Sequence, residues 1–238
     1  LDVIRGEMLC LTGPNGSGKS TILETFAGLH APRSGEVVVP LPGQESIPIR
    51  DSKGRRTPLP GLSIALQTDG ACLDETVMER LKTASRVAGE PLADETIHAA
   101  MEEWKLSHRS EDRLAVLSQG LRKRVSILAA ILPAIRSNEP RIILLDEPSE
   151  GLDSASRKIL HESIHSLREK GHSIVVATHD DSIIEISDRT VEISANMISV
   201  SGTNHAIDDP PFTDTPPVGG AISALGRWIL ALEMRNPV

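Results

Sequence analysis

Three groups of residues in this chain have the types and spacing to do chemistry. The first, Gly13-Pro14-Asn15-Gly16-Ser17-Gly18-Lys19-Ser20, fits G-x-x-x-x-G-K-[ST], with the apolar run Met8-Leu9-Cys10-Leu11 before it and a helix-compatible stretch, Thr21 to Leu29, after it. Its glycines allow a turn that aims several backbone N–H groups inward, and a helix starting near Lys19 adds the positive end of its dipole. A polyphosphate suits such a nest, with Lys19 reaching the outer phosphates and the Ser20 hydroxyl ligating Mg²⁺. The second group closes the run Arg141-Ile142-Ile143-Leu144-Leu145-Asp146-Glu147-Pro148. An apolar run of that length followed by two acids reads as a buried parallel strand that delivers carboxylates at its C-terminal edge, where ligands sit in open α/β sheets. The plainer reading of those acids is a solvated turn. The third group, His161-Glu162-Ser163-Ile164-His165, matches the zinc-protease pattern H-E-x-x-H. There Leu160, Ile164 and Leu167 form the stripe expected to be buried, which leaves the histidines on the flank with no clear third ligand, and zinc hydrolysis is set aside.

The first two groups need a sheet edge and helix starts to hold them. Short strands are expected at Glu36 to Val39 and at Leu62 to Leu66, the latter ending at Gln67. Between them, repeated prolines from Pro40 to Gly61 leave room only for loops and short antiparallel strands. Lys53-Gly54-Arg55-Arg56 in this stretch reads as a solvated loop. Asp74 and Asp94 are placed to cap two helices, from about Glu75 to Val87 and from about Glu95 to Trp104, which together make a small helical lobe with Trp104 as a packing anchor. Ser118 is placed to cap a helix from Arg122 to about Ile135, and Leu132 to Glu139 reads as a loop extension. Ser154 is placed to cap a helix to about Lys170, stopped by Gly171. A buried strand then runs from Ser173 to Thr178, ending at His179, and weaker strands follow at Thr190 to Ile193 and Met197 to Val200. Prolines, glycines and aspartates make residues 202–220 a linker. Residues 221–238 carry an amphipathic helix with Ile222, Leu225, Ile229 and Leu232 on one side and Arg227 and Trp228 as a candidate interfacial anchor.

Composition narrows the classes. A length of 238 residues with 39% hydrophobic and 24% charged residues is ordinary for a soluble globular protein. A net charge of −8 argues against a general nucleic-acid surface, which needs excess Lys and Arg. Cys10 and Cys72 offer neither metal spacing nor a disulfide framework, so a reducing, cytoplasmic compartment is the default. No apolar run reaches the ~18 residues of a membrane span. The chain opens at Leu1, only a dozen residues before Gly13, and reads as part of something longer.

Taken together, the pieces resemble the ATP-binding cassette (ABC) ATPases, the nucleotide-binding engines of ABC transporters. The resemblance covers roughly Leu1 to Ser201 and rests on several motifs in the family's order. Gly13 to Ser20 looks like Walker A, with Gly13, Asn15, Gly16, Ser17, Gly18, Lys19, Ser20 and Thr21 as the phosphate-binding set. Gln67 looks like the Q-loop glutamine, Leu117 to Leu121 the signature, Ile142 to Asp146 Walker B, Glu147 the catalytic glutamate, Glu150 to Asp153 the D-loop, and His179 the switch histidine. The resemblance implies an α/β, P-loop NTPase fold: a mostly parallel core sheet, a small antiparallel β lobe and a helical signature lobe at about residues 74–120. It implies ATP and Mg²⁺, with Ser20, Gln67 and Asp146 at the metal, Asp146 through its water shell. Glu147 would polarise the attacking water, and His179 would donate to the γ-phosphate. It also implies a second ATPase subunit, whose ATP is met by Ser118, Gln119 and Gly120. The signature departs from the family's Leu-Ser-Gly-Gly-Gln at Gln119 and Leu121, which adds bulk where close backbone approach matters. No adenine-stacking residue is named.

The leading expectation is an ATPase that powers a transporter through a membrane-spanning subunit or fused domain, held at the inner face of the membrane by that partner and without nucleic acid. Residues 226–235 resemble the cytoplasmic helix before the first span of some fused domains, as in haem-exporter-like permeases. A soluble ABC ATPase of cofactor assembly, and an ATP-dependent interaction module with weak hydrolysis, are the alternatives.

Overall fold

The computed structural model describes residues 1, 3–41, 44–57, 61–67, 70–137, 139–194, 197–202 and 231–232. Its central sheet has six strands: β1 (Met8–Thr12), β4 (Leu62–Ala65), β5 (Ile142–Asp146), β6 (Ser173–Ala177), β7 (Arg189–Ser194) and β8 (Met197–Gly202). They lie in the order β4-β5-β6-β1-β7-β8, all parallel except the β7–β8 pair. A second, antiparallel sheet pairs β2 (Glu36–Leu41) with β3 (Gln44–Asp51) and with the short β9 (Ala231–Leu232).

The middle strands read as unbroken apolar runs because helices or the second sheet cover both faces, and successive side chains go to opposite sides. On one side Met8, Cys10, Ile143, Leu145, Ile174 and Val176 join a cluster with α2 (Val77–Val87), α3 (Asp94–Glu103), α4 (Gln119–Arg136) and α5 (Ser154–Glu169). On the other, Leu9, Leu11, Leu144, Val175 and Ala177 meet Leu23 and Phe26 of α1 (Lys19–Phe26), together with Val37 and Ile49 of the antiparallel sheet. Trp104 is fully buried in the first cluster and anchors the helical lobe. Leu160, Ile164 and Leu167 form the buried stripe of α5.

Several helix boundaries differ from expectation. The cap of α2 is Thr76, not Asp74: its hydroxyl accepts from Glu79 N at 3.1 Å while Glu79 Oε2 accepts from Thr76 N at 2.8 Å, a reciprocal box that outcompetes a lone aspartate. Asp94 is not a cap but the first residue of α3, where its charge meets the helix dipole and Lys82 Nζ at 2.7 Å. Asp153, rather than Ser154, caps α5 through Ser156 N at 2.7 Å. Ser118 does cap α4, which starts at Gln119 instead of Arg122. The loop extension expected from Leu132 is largely helix, because α4 runs through Pro133 to Arg136. Burial of Ile131, Leu132 and Ala134 offsets the backbone hydrogen bond that the proline cannot donate.

At the C-terminal end, Gly202, expected as the first residue of the 202–220 linker, is the last residue of β8 and pairs with Arg189. The remainder of that linker and most of the helix expected over 221–238, with Arg227 and Trp228, lie outside the described residues. Ala231 and Leu232 are extended instead of helical. They pair with Val38 and Val37, whose strand has backbone groups to satisfy on that side. Among the described residues, no helix is long and apolar enough to cross a membrane.

Candidate functional site

Four neighbouring strands end at one edge of the central sheet, and each hands over to a segment singled out above. From the outer strand inward these are Gln67 after β4, Asp146 and Glu147 at the end of β5, His179 after β6, and the glycine-rich loop after β1. A cleft of about 430 Å³ opens there, lined by Asn15, Gly16, Gly18, Lys19, Ser20, Thr21, Gln67, Glu147, Glu150 and His179.

The loop is shaped by its glycines. Gly13 has φ +133°, and a Cβ on it would lie 2.1 Å from the Ile193 carbonyl oxygen, so no larger residue fits without backbone movement. Gly18, φ +104°, leads directly into α1. Ser17 N donates to the Pro14 carbonyl at 3.2 Å and closes the turn. Gly13 and Ser17 support the loop and do not line the cleft. Lys19 is buried, and its Nζ donates to the Gly13 and Pro14 carbonyls at 2.8 and 3.2 Å, folded back along the loop it would leave to meet a phosphate.

Asp146 sits behind Ser20. The Ser20 hydroxyl approaches its carboxylate, and Oδ1 is buried with no hydrogen-bond partner. Burial pushes the Asp146 pKa up, and the neighbouring Glu147 adds to the shift, while Ser20 and Lys123 oppose it. A carboxylate held dry beside a serine hydroxyl and next to a second carboxylate is short of positive charge. Ser20, Asp146 and, across the cleft, Gln67 are therefore a fitting oxygen set for Mg²⁺.

Glu147 is one of two non-glycine residues with positive φ among those described, at +45°. Its N–H donates to the Ala177 carbonyl at 2.8 Å, and its Oε2 lies 3.0 Å from His179 Nδ1. Such a backbone costs roughly 1–3 kcal/mol and persists where the surroundings enforce it. Gln67 Nε2 donates to Glu150 Oε2 at 3.4 Å, which places Glu150 inside the cleft as well as at the start of the Glu150–Asp153 turn.

The signature residues do not join this cleft. Ser118 and Gln119 are exposed at the start of α4, and Gln119 faces an adjoining hollow that shares Gln67 and Glu150 with it. Gly120 packs against the turn after β5, where an added Cβ would come within 3.0 Å of the Gly151 carbonyl oxygen. Asp153 caps α5 and lies 3.7 Å from Arg124. His161 Nε2 lies 3.3 Å from Ser182 Oγ, whereas His165 Nε2 is 3.5 Å from Glu169, so the two rings of the H-E-x-x-H pattern engage different partners. Sequence reasoning missed Lys123, whose Nζ reaches the Asp146 carbonyl at 3.1 Å; no motif pointed to it.

A family model described as ABC transporter matches residues 1–150. The chain belongs to the ABC transporter family. This cassette is 36% identical over 165 residues to the cytochrome c biogenesis ATP-binding export protein CcmA of Bordetella parapertussis, covering 68% of this chain and 66% of that one. It is 32% identical over 167 residues to the Nod factor export ATP-binding protein I of Rhizobium leguminosarum bv. viciae, covering 69% and 50%. The matched region thus spans between half and just under two thirds of the length of these relatives. A dimeric bacterial ABC transporter cassette aligns with a TM-score of 0.71 at 21% identity, over 85% of this chain and 88% of that one, which shows the shared fold. The α/β expectation, with a mostly parallel sheet beside a small antiparallel one, therefore holds.

Proposed function

We propose that this chain is the ATP-binding and ATP-hydrolysing subunit of an ABC transporter, working by nucleotide-driven dimerisation with a second cassette and with a membrane-spanning subunit or fused domain. One observation carries the reading: Lys19, Ser20, Gln67, Glu147 and His179 meet at a single cleft, with the unpartnered Asp146 oxygen behind Ser20. In this reading residues 1–202 are the ATPase domain, 203–220 a linker and 221–238 a segment that leads toward the membrane partner.

Lys19 exchanges the Gly13 and Pro14 carbonyls for the outer phosphates of ATP, and the loop amides from Asn15 to Thr21 receive the remaining charge. Ser20, Gln67 and Asp146 would hold Mg²⁺, which when bound offsets negative charge on the phosphates. Glu147 accepts a proton from the water that attacks the γ-phosphorus, and His179 donates toward that phosphate. Ser118, Gln119, Gly120 and Asp153 lie away from the cleft of their own chain, which supports a role at a partner's ATP. Both relatives are named for export, which supports outward transport from the cytoplasmic face of the membrane. The net charge of −8 supports a partner other than nucleic acid.

Phosphate release by the purified chain, with and without Mg²⁺, tests the reading. Wild type should turn over only with Mg²⁺, while Glu147→Gln should lose about 10²-fold in rate and be trapped as an ATP-bound dimer in light scattering. Absence of both turnover and the ATP-dependent dimer would sink it. Gln119, exposed where the family pattern has glycine, favours a second reading, an ATP-dependent interaction module with weak hydrolysis; a trapped dimer without wild-type turnover would select that one.

A further inference from the structure

The peptide between Asp146 and Glu147 separates the carboxylate assigned to the metal from the one assigned to the water. Its N–H is held by the Ala177 carbonyl at 2.8 Å, on the β6 side. In a trans peptide the carbonyl points the opposite way, toward β4. That strand has already ended at Ala65, whose partner is Leu145, so β4 supplies no ladder N–H for the Asp146 carbonyl. Lys123 fills the gap: its Nζ, arriving from the first turns of α4, donates to that oxygen at 3.1 Å. The residue that follows, Glu147, is at φ +45°, a conformation that relaxes unless its peptide is restrained. Lys123 is half-buried and borders the hollow shared by Gln67, Gln119 and Glu150.

We propose that Lys123 is a positioning residue: it locks the Asp146–Glu147 peptide plane from the side opposite β6, and so fixes the direction in which Glu147 presents its carboxylate. Its catalytic consequence rests on the ATPase reading above; the mechanical one does not. Because Lys123 lies three residues beyond Gly120 on the same helix, it also ties the signature end of α4 to the tip of β5.

Two measurements on the full chain test this. In Lys123→Met, which keeps the stem and loses the donor, the Glu147 amide should exchange with solvent about tenfold faster while Leu144 and Leu145 stay protected. The same variant should lose about 10- to 100-fold in kcat with KM for ATP within about threefold. Lys123→Arg, which restores a donor, should recover most of both. Lys123→Leu, shorter and without a donor, removes the hydrogen bond in a second way if the methionine variant does not fold. Unchanged Glu147 exchange in the folded variants, uniform loosening of all β5, or no rescue by arginine would overturn the proposal. If wild type does not hydrolyse ATP yet Glu147 exchange rises as described, the ATPase reading fails and the assignment of Lys123 stands.

Discussion

His179 Nδ1 lies 3.0 Å from Glu147 Oε2, with the ring 69% exposed and the carboxylate 9% exposed. The approach is off the line of an aligned hydrogen bond, and we read it as an ion-pair contact. Glu147 raises the imidazole pKa above its ordinary 6.5, through the contact itself and then through its charge. The pairing is therefore complete when the ring is protonated and is lost as pH rises through the raised value. NMR titration of the ring should give a pKa above 6.5 in wild type that falls back toward 6.5 in Glu147→Gln. Equal values in the two proteins would show that Glu147 is not the cause.

Lys19 now satisfies two loop carbonyls, and a phosphate would have to compete for it. Lys19→Ala removes the mobile charge of the cleft, so ATP binding at micromolar concentration should disappear, a loss of at least about 100-fold in Kd. Calorimetry checks this; unchanged affinity counts against the cleft as the phosphate site.

Gly13→Ala should destabilise the fold itself. The new methyl would overlap the Ile193 carbonyl oxygen at 2.1 Å, and φ +133° is strained for alanine. A loss of about 2–4 kcal/mol is expected in urea denaturation. Gly16→Ala meets no atom within 4 Å of its Cβ and should cost less, only the strain of φ +79°. Equal losses in the two variants would rule out the clash as the cause.

His172 gives the molecule an acid limit. It is buried, its Nδ1 accepts from Arg141 N at 3.0 Å, and burial, with nearby cationic side chains, lowers its pKa from 6.5 to about 4. The unfolded chain takes up a proton below 6.5 that the folded one refuses, so this stability is full above pH 6.5 and drains away as pH falls toward about 4. The total is about 3 kcal/mol. Denaturation at about pH 7 and pH 4 should show a steeper loss for wild type than for His172→Asn, which keeps an acceptor for Arg141 and has no proton to gain. Parallel losses would remove His172 from the account.

What could be read in the sequence was what repeats locally. The loop at Gly13 to Ser20 and the apolar run into Asp146 and Glu147 each carry their chemistry within a few residues, and they fell on the expected strands. The caps were harder, since Asp74 and Thr76 both suit a helix start and the choice turns on Glu79 reaching back from the next turn. The loop reading from Leu132 to Glu139 missed that burial of Ile131, Leu132 and Ala134 carries the helix through Pro133, because that burial is a tertiary fact. Lys123 left no signature, because its partner is a main-chain oxygen 23 positions away. The extension of Ala231 and Leu232 depends on β2, which no local helical pattern records.

Gly120 and Gly151 meet with no side chain between them. Where two segments touch backbone to backbone, no side chain can yield between them, so a shift of the helix start toward the turn after β5 presses directly on its main chain. A Cβ at Gly120 would drive a wedge into that seam, 3.0 Å from the Gly151 carbonyl oxygen, whereas one at Gly151 would meet open space, so the closeness of the joint is set from the helix side.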